Sequence, residues 1–187
     1  KYKTITSQEV QSLLNSKIHE ERFLALLILI EHFKLAQGEK KEKIFLFYLN
    51  NTKNINNWDL VDLTAPNIIG KFLLNKPKDI KPKDTLFKLA NSKDLWEKRI
   101  SILSTLEFIR NNQFQPTLEI AQILLSDKHD LIHKAVGWML RELGKRNQAL
   151  EEQFLKKHYK TMPRTMLRYA IEKFDKTLQK KYLKGEV

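Results

Sequence analysis

The sequence has no cysteine among its 187 residues. That excludes a disulfide framework, thiol catalysis, thiolate-bound structural zinc and iron–sulfur clusters. It also suits a reducing cytoplasm, where the protein is expected to reside. Glycine and proline are scarce, five of each. No glycine-rich phosphate loop, nucleophile elbow or kinase signature is present, so nucleotide hydrolysis and acyl transfer lack support. Long apolar runs are absent too. The longest, Phe23 to Ile30, falls far short of the roughly 18 residues of a membrane span. There is no secretory signal, and no membrane partner is expected. Acidic residues are in deficit: 22 Asp and Glu against 34 Lys and Arg give a net charge of +12 and a pI near 9.7. A pI above about 9 is the electrostatic footprint of a nucleic-acid binder, although a generally lysine-rich proteome yields the same balance. The chain opens at Lys1 rather than Met, as one lacking part of its natural N-terminus would.

What is present is helical periodicity. Apolar residues recur at three- and four-residue spacing through Leu13–Ile30, Ile44–Leu49, Trp58–Leu63, Ile68–Leu74, Thr85–Leu89, Leu95–Ile109, Leu118–Leu125, Leu131–Leu143, Leu150–His158 and Pro163–Phe174. No window shows strand alternation flanked by hairpin signals. The expectation is an all-α protein, a single domain over residues 1–187. Thr64, Ser92, Thr117 and Ser126 read as helix N-caps, and the breaker-rich stretch 75–82 reads as a loop. A weak internal repeat is visible. Leu95-Trp-Glu-Lys-Arg-Ile100 lines up with Leu131-Ile-His-Lys-Ala-Val136, a further step of similar length lands on Leu167-Arg-Tyr-Ala-Ile171, and two steps back from Arg99 reach Arg22. Repeats in the thirties to forties with two helices per unit indicate an α-solenoid of HEAT-like type.

Four constellations could carry chemistry. Trp58 and Asp62 are an (i, i+4) pair, which puts an aromatic plate and a carboxylate on one helical face; Asp59 lies about 100° around the helix. The plain alternative is a half-buried Trp with a solvated Asp. Gly137-Trp138-Met-Leu-Arg141 joins a site of close approach, an indole and a phosphate-seeking fork, or else an ordinary core Trp. Arg99, in Trp96-Glu-Lys-Arg99, precedes the apolar run Ile100–Phe108 and must pair with a carboxylate or a phosphate. Finally, basic residues far outnumber acidic ones between His133 and Lys184, among them Lys134, Arg141, Arg146, Lys156, Lys157, Arg164 and Arg168, with Tyr159 and Tyr169 interleaved. Cations on successive helices can follow a phosphate backbone; they can also be a solvated face. His129 and His133 are four apart but lack the adjacent Glu of a zinc-protease helix. No metal and no cofactor are expected.

With these residues the chain resembles the AlkD-type DNA alkylation repair proteins, HEAT-like DNA glycosylases for alkylated purines. The carriers, in order, are His19-Glu-Glu-Arg22 with its Leu-rich continuation, Asn57-Trp-Asp-Leu-Val-Asp62, Trp96-Glu-Lys-Arg99, Lys134-Ala-Val-Gly-Trp138 through Arg141-Glu142, and Met162-Pro-Arg-Thr-Met-Leu-Arg-Tyr-Ala-Ile171. They span nearly all of the chain. The resemblance implies a curved stack with a basic concave face. In it Asp62 is the catalytic carboxylate, Trp58 and Trp138 contact the lesion nucleotide, and Arg99 helps to grip the DNA beside it. Lys134, Arg141, Arg164 and Arg168 are expected to extend that DNA contact. The implied activity is monofunctional release of cationic purines of the 3-methyladenine and 7-methylguanine type from duplex DNA, by a monomer, in base excision repair. Related branches bind unusual DNA structures without catalysis, and a non-catalytic module for damaged or branched DNA is the alternative. The family usually carries further N-terminal helices that help to hold DNA; this sequence begins close to its His19-Glu-Glu-Arg22 motif.

Overall fold

The computed structural model describes residues 5–75 and 82–187, and all regular structure among them is helical. Most of the expected loop over 75–82 lies outside the described residues. Five helices, α2 (His19–Leu35), α4 (Trp58–Ala65), α7 (Leu95–Arg110), α9 (Asp130–Gly144) and α11 (Arg164–Ala170), start at the thirty-odd spacing of the sequence repeat. They form one layer, with α2 packed on α4, α4 on α7, α7 on α9 and α9 on α11. A second layer, α1 (Ser7–Leu14), α3 (Glu39–Asn50), α6 (Pro82–Ala90), α8 (Gln115–Leu124) and α10 (Gln148–His158), packs against the first. The short α5 (Lys71–Leu74) joins them, and α12 (Lys176–Lys184) closes the far end through Tyr182, whose ring meets Tyr159 edge-on at 5.4 Å. This is the α-solenoid that the repeat implied.

Helix α7 sits at the centre of the stack, touching α4, α6, α8 and α9. It is accordingly buried on most sides, from Arg99 through Thr105. Its small polar residues all find backbone acceptors: Ser104 donates to the Ile100 carbonyl at 2.6 Å and Thr105 to Ile102 at 2.7 Å within the helix, and Ser101 reaches the Leu86 carbonyl on α6 at 3.0 Å. Two glycines set the distance between neighbouring helices. A Cβ on Gly70 would lie 2.5 Å from the Ser104 carbonyl oxygen of α7, and one on Gly137 would lie 2.5 Å from the Met166 carbonyl oxygen of α11. At both positions only the missing side chain lets the backbones approach.

Several local expectations need correcting. Thr64 does not cap a helix; it lies inside α4, donates to the Leu60 carbonyl and meets the buried Tyr48 hydroxyl at 2.7 Å. No new helix starts there: α4 passes directly into a π turn over Pro66–Gly70 and then into α5. Proline removes the N–H that would close on Asp62 and its ring crowds that carbonyl, and the wider π turn is where the helical path continues past it. The caps of α7 and α9 are Asp94, which accepts from the amides of Trp96 and Glu97, and His129, which accepts from Leu131. Ser92 instead accepts from the Asp94 amide in the preceding turn, Thr117 is buried within α8, and Ser126 caps nothing. Helix α12 escaped the periodicity argument, since only Leu178, Tyr182 and Leu183 mark its apolar side.

Candidate functional site

Asn57 starts the site by capping α4: its side chain accepts from the Trp58 amide at 2.7 Å. The cap fixes Trp58 at the first helical position, where the residue is 56% exposed. One turn on, Asp62 lies at the boundary of the core, its side chain 17% exposed. Asp59, in the same turn, is drawn away by His19, whose Nε2 stands 2.7 Å from its carboxylate and ties the start of α2 to α4. Asp62 is therefore the α4 carboxylate not held by His19, one helical turn on from the indole.

Arg99 of α7 grips that carboxylate from below. Its Nε and Nη2 donate to the two oxygens of Asp62 at 2.7 and 2.8 Å, a bidentate pair, and its Nη1 donates to the Leu131 carbonyl in the first turn of α9 at 2.5 Å. One side chain thus fastens α4, α7 and α9 together. The sequence posed a choice between a carboxylate and a phosphate for Arg99, and the carboxylate is what it holds. Arg99 is only 5% exposed and all three of its guanidinium nitrogens are engaged, so the pair fixes the orientation of the Asp62 carboxylate. Bidentate charge-assisted bonds of this kind fix geometry as well as supply energy.

Trp138 lies on α9 two turns beyond Leu131, about 10 Å along the axis at 1.5 Å per residue. It is half-buried, and its indole N–H donates to Glu142 at 3.1 Å. Neither this ring nor that of Trp58 is a fully buried core residue. Gly137 serves the close approach of α11 rather than of a ligand.

The remaining cations differ in availability. Lys134 pairs with Asp130 at 2.7 Å, and that hydrogen bond and charge raise its ammonium above the usual lysine range. Arg141 is largely buried and bonded to Glu172, so it links α9 to the turn after α11. Arg164 is exposed and donates one bond to the Leu183 carbonyl at 2.7 Å. Arg168 is exposed with no partner among the described residues. The His19–Asp59 tie and the Glu142 acceptor were missed in the sequence. The second had a readable signal, because Glu142 stands at i+4 from Trp138. Among the described residues no group of three His, Asp or Glu gathers as a metal site would require, and no helix is long and apolar enough to cross a membrane.

The family model described as DNA alkylation repair enzyme matches residues 1–174. A solved structure titled as a predicted DNA alkylation repair enzyme from Enterococcus faecalis superposes with a TM-score of 0.69 at 16% identity, over 90% of this chain and 75% of that one. At that identity the likeness speaks for the fold alone. No curated protein matches the sequence.

Proposed function

The chain belongs to the DNA alkylation repair enzyme family, and on that basis we propose that it is a monofunctional DNA glycosylase. It hydrolyses the N-glycosidic bond of cationic alkylated purines in duplex DNA. The observation that carries this reading is Asp62, held at both oxygens by the buried Arg99 and one helical turn from the exposed ring of Trp58.

A 3- or 7-alkylated purine carries formal positive charge and leaves readily. As the C1′–N bond breaks, its electron pair goes to the base and neutralises it, while positive charge builds on the deoxyribose as in glycoside cleavage. Asp62 stabilises that charge and orients a water whose oxygen bonds to C1′; the water gives up one proton to the surrounding solvent, and the products are the neutral free base and an abasic site. Preorganised electrostatics of this kind are typically worth about 2.7–4 kcal/mol per group. Because Arg99 already fixes the carboxylate, little reorganisation is needed when charge develops. Trp58 and Trp138 flank the nucleotide, their negative π-faces favouring the cation. The reaction stops at the abasic site and leaves the backbone uncut. Arg164, Arg168 and Lys134 contact phosphates along a basic concave face, and the protein works as a monomer on chromosomal DNA in the cytoplasm.

The test is chromatography of bases set free from methylated duplex DNA. Release of 7-methylguanine or 3-methyladenine is the expected result. Tight binding to branched or damaged duplexes without release would replace this reading with that of a non-catalytic DNA-binding module.

A further inference from the structure

The two tryptophans of the site are held differently. Trp58 is exposed at the start of α4, and its indole N–H has no partner among the described residues. Trp138 donates its N–H to Glu142, one turn later on α9, at 3.1 Å. Glu142 is itself held, with Lys145 Nζ at 2.7 Å and Arg141 Nε at 3.8 Å from the same oxygen. An indole has a single donor and no acceptor, so this one bond is the polar restraint on the orientation of a ring that also packs against the core.

We propose that Glu142 is a positioning residue for Trp138, fixing the plane of the indole and making its π-face more electron-rich toward a cationic nucleotide. This role rests on the glycosylase reading. A carboxylate on the N–H draws the proton outward and pushes electron density into the ring, and hydrogen-bonded groups polarise one another in this way. A more negative face attracts a cation more strongly. The pair sits on one helix at i and i+4, so ring and carboxylate move as a unit. Helix α11, packed against Gly137, fixes the backbone beneath them. Trp58 is thus the adaptable wall of the site and Trp138 the rigid one.

The test uses the full chain as wild type, E142Q, E142A, W138F and the W138F/E142A double variant, each confirmed folded by thermal melting. Three readouts are taken. They are the indole 15N–1H resonances, with Trp138 assigned through W138F; the single-turnover release of 7-methylguanine from methylated duplex; and the affinity for undamaged duplex. In E142A the Trp138 resonance should move and release should slow about tenfold, the scale of a partly desolvated cation–π contact, with undamaged-duplex affinity unchanged. E142Q keeps an acceptor without the charge and should recover part of the rate. In the W138F background E142A should cost nothing further. An unmoved resonance, equal release by wild type and E142A, or an undiminished effect in the W138F background would each overturn the role alone. No release by the wild type would overturn the glycosylase reading, and this role with it.

Discussion

Arg99 brings a full charge into the packed centre of a helical stack, and the chain answers with a carboxylate on one side and a carbonyl on the other. Removing either partner of such a pair is destabilising, because the survivor is left buried without compensation. That is why the candidate catalytic carboxylate is also a structural one. Trp58 is the opposite case. More than half of its surface faces solvent, so Trp58→Ala should cost less than about 1 kcal/mol, far below the roughly 3–5 kcal/mol of a core Trp truncation. Base release should nonetheless fall at least tenfold if the ring flanks the lesion nucleotide, on the scale of a cation–π contact. Melting and excision measured on the same preparation separate the two readings. A variant that melts far lower yet releases base normally per folded molecule would return Trp58 to the core. From sequence alone the Trp58–Asp62 spacing was legible, because it is set by one helix. The partner of Asp62 was not, because Arg99 lies 37 positions away on another repeat and only packing brings the two together.

At the scale of the helices, the interface between α9 and α11 depends on Gly137. A Cβ there would meet the Met166 carbonyl oxygen and the Tyr169 Cβ, both at 2.5 Å. Gly137→Ala should therefore destabilise the protein by about 1–3 kcal/mol, the usual cost of overpacking, read as a lower denaturant midpoint. An unchanged midpoint would mean that α11 can give way. Helix α10 meets the end of α9 through Glu151, whose buried Oε1 has no hydrogen-bond partner and whose Oε2 fills the space beside Gly144. Burial is the main cause that pushes its carboxyl up to about 9. The folded state therefore binds this proton more tightly than the unfolded chain does. The stabilisation is complete below the ordinary carboxyl pKa near 4.5 and is lost as pH rises toward 9. Melting temperature should fall across that window in the wild type and fall less in Glu151→Gln; identical profiles would assign the pH response to other groups. The elements themselves were largely legible, since apolar spacing located the repeat helices. Their caps were not. Ser and Thr serve equally well bonding back inside a helix, as Ser104 and Thr105 do, so their presence near a boundary carried little information.

For the whole molecule, a stack of helices with a charge of +12 is built to meet a polyanion over several turns of chain. With about four to six phosphate contacts the slope of log affinity against log salt should be near −4 to −5, from roughly −0.9 per contact. A flat response on duplex DNA would count against a phosphate-tracking surface. Arg164 and Arg168 are exposed, whereas Arg141 is committed to Glu172. The sequence could mark all three as basic but could not sort them, because ion pairing between repeats decides which charges remain for a ligand. The same stacking makes Asp62 the point where capping, the π turn and the Arg99 pair converge. The decisive measurement is the single-turnover rate of 7-methylguanine release from methylated duplex by wild type and Asp62→Asn, at a temperature where melts show both folded. Asparagine keeps an acceptor for Arg99 and the shape of the site while removing the negative charge. A loss of at least about a hundredfold is expected, the scale of one preorganised electrostatic group, with little change in affinity for undamaged duplex. Release by the Asn variant at the wild-type rate would contradict it.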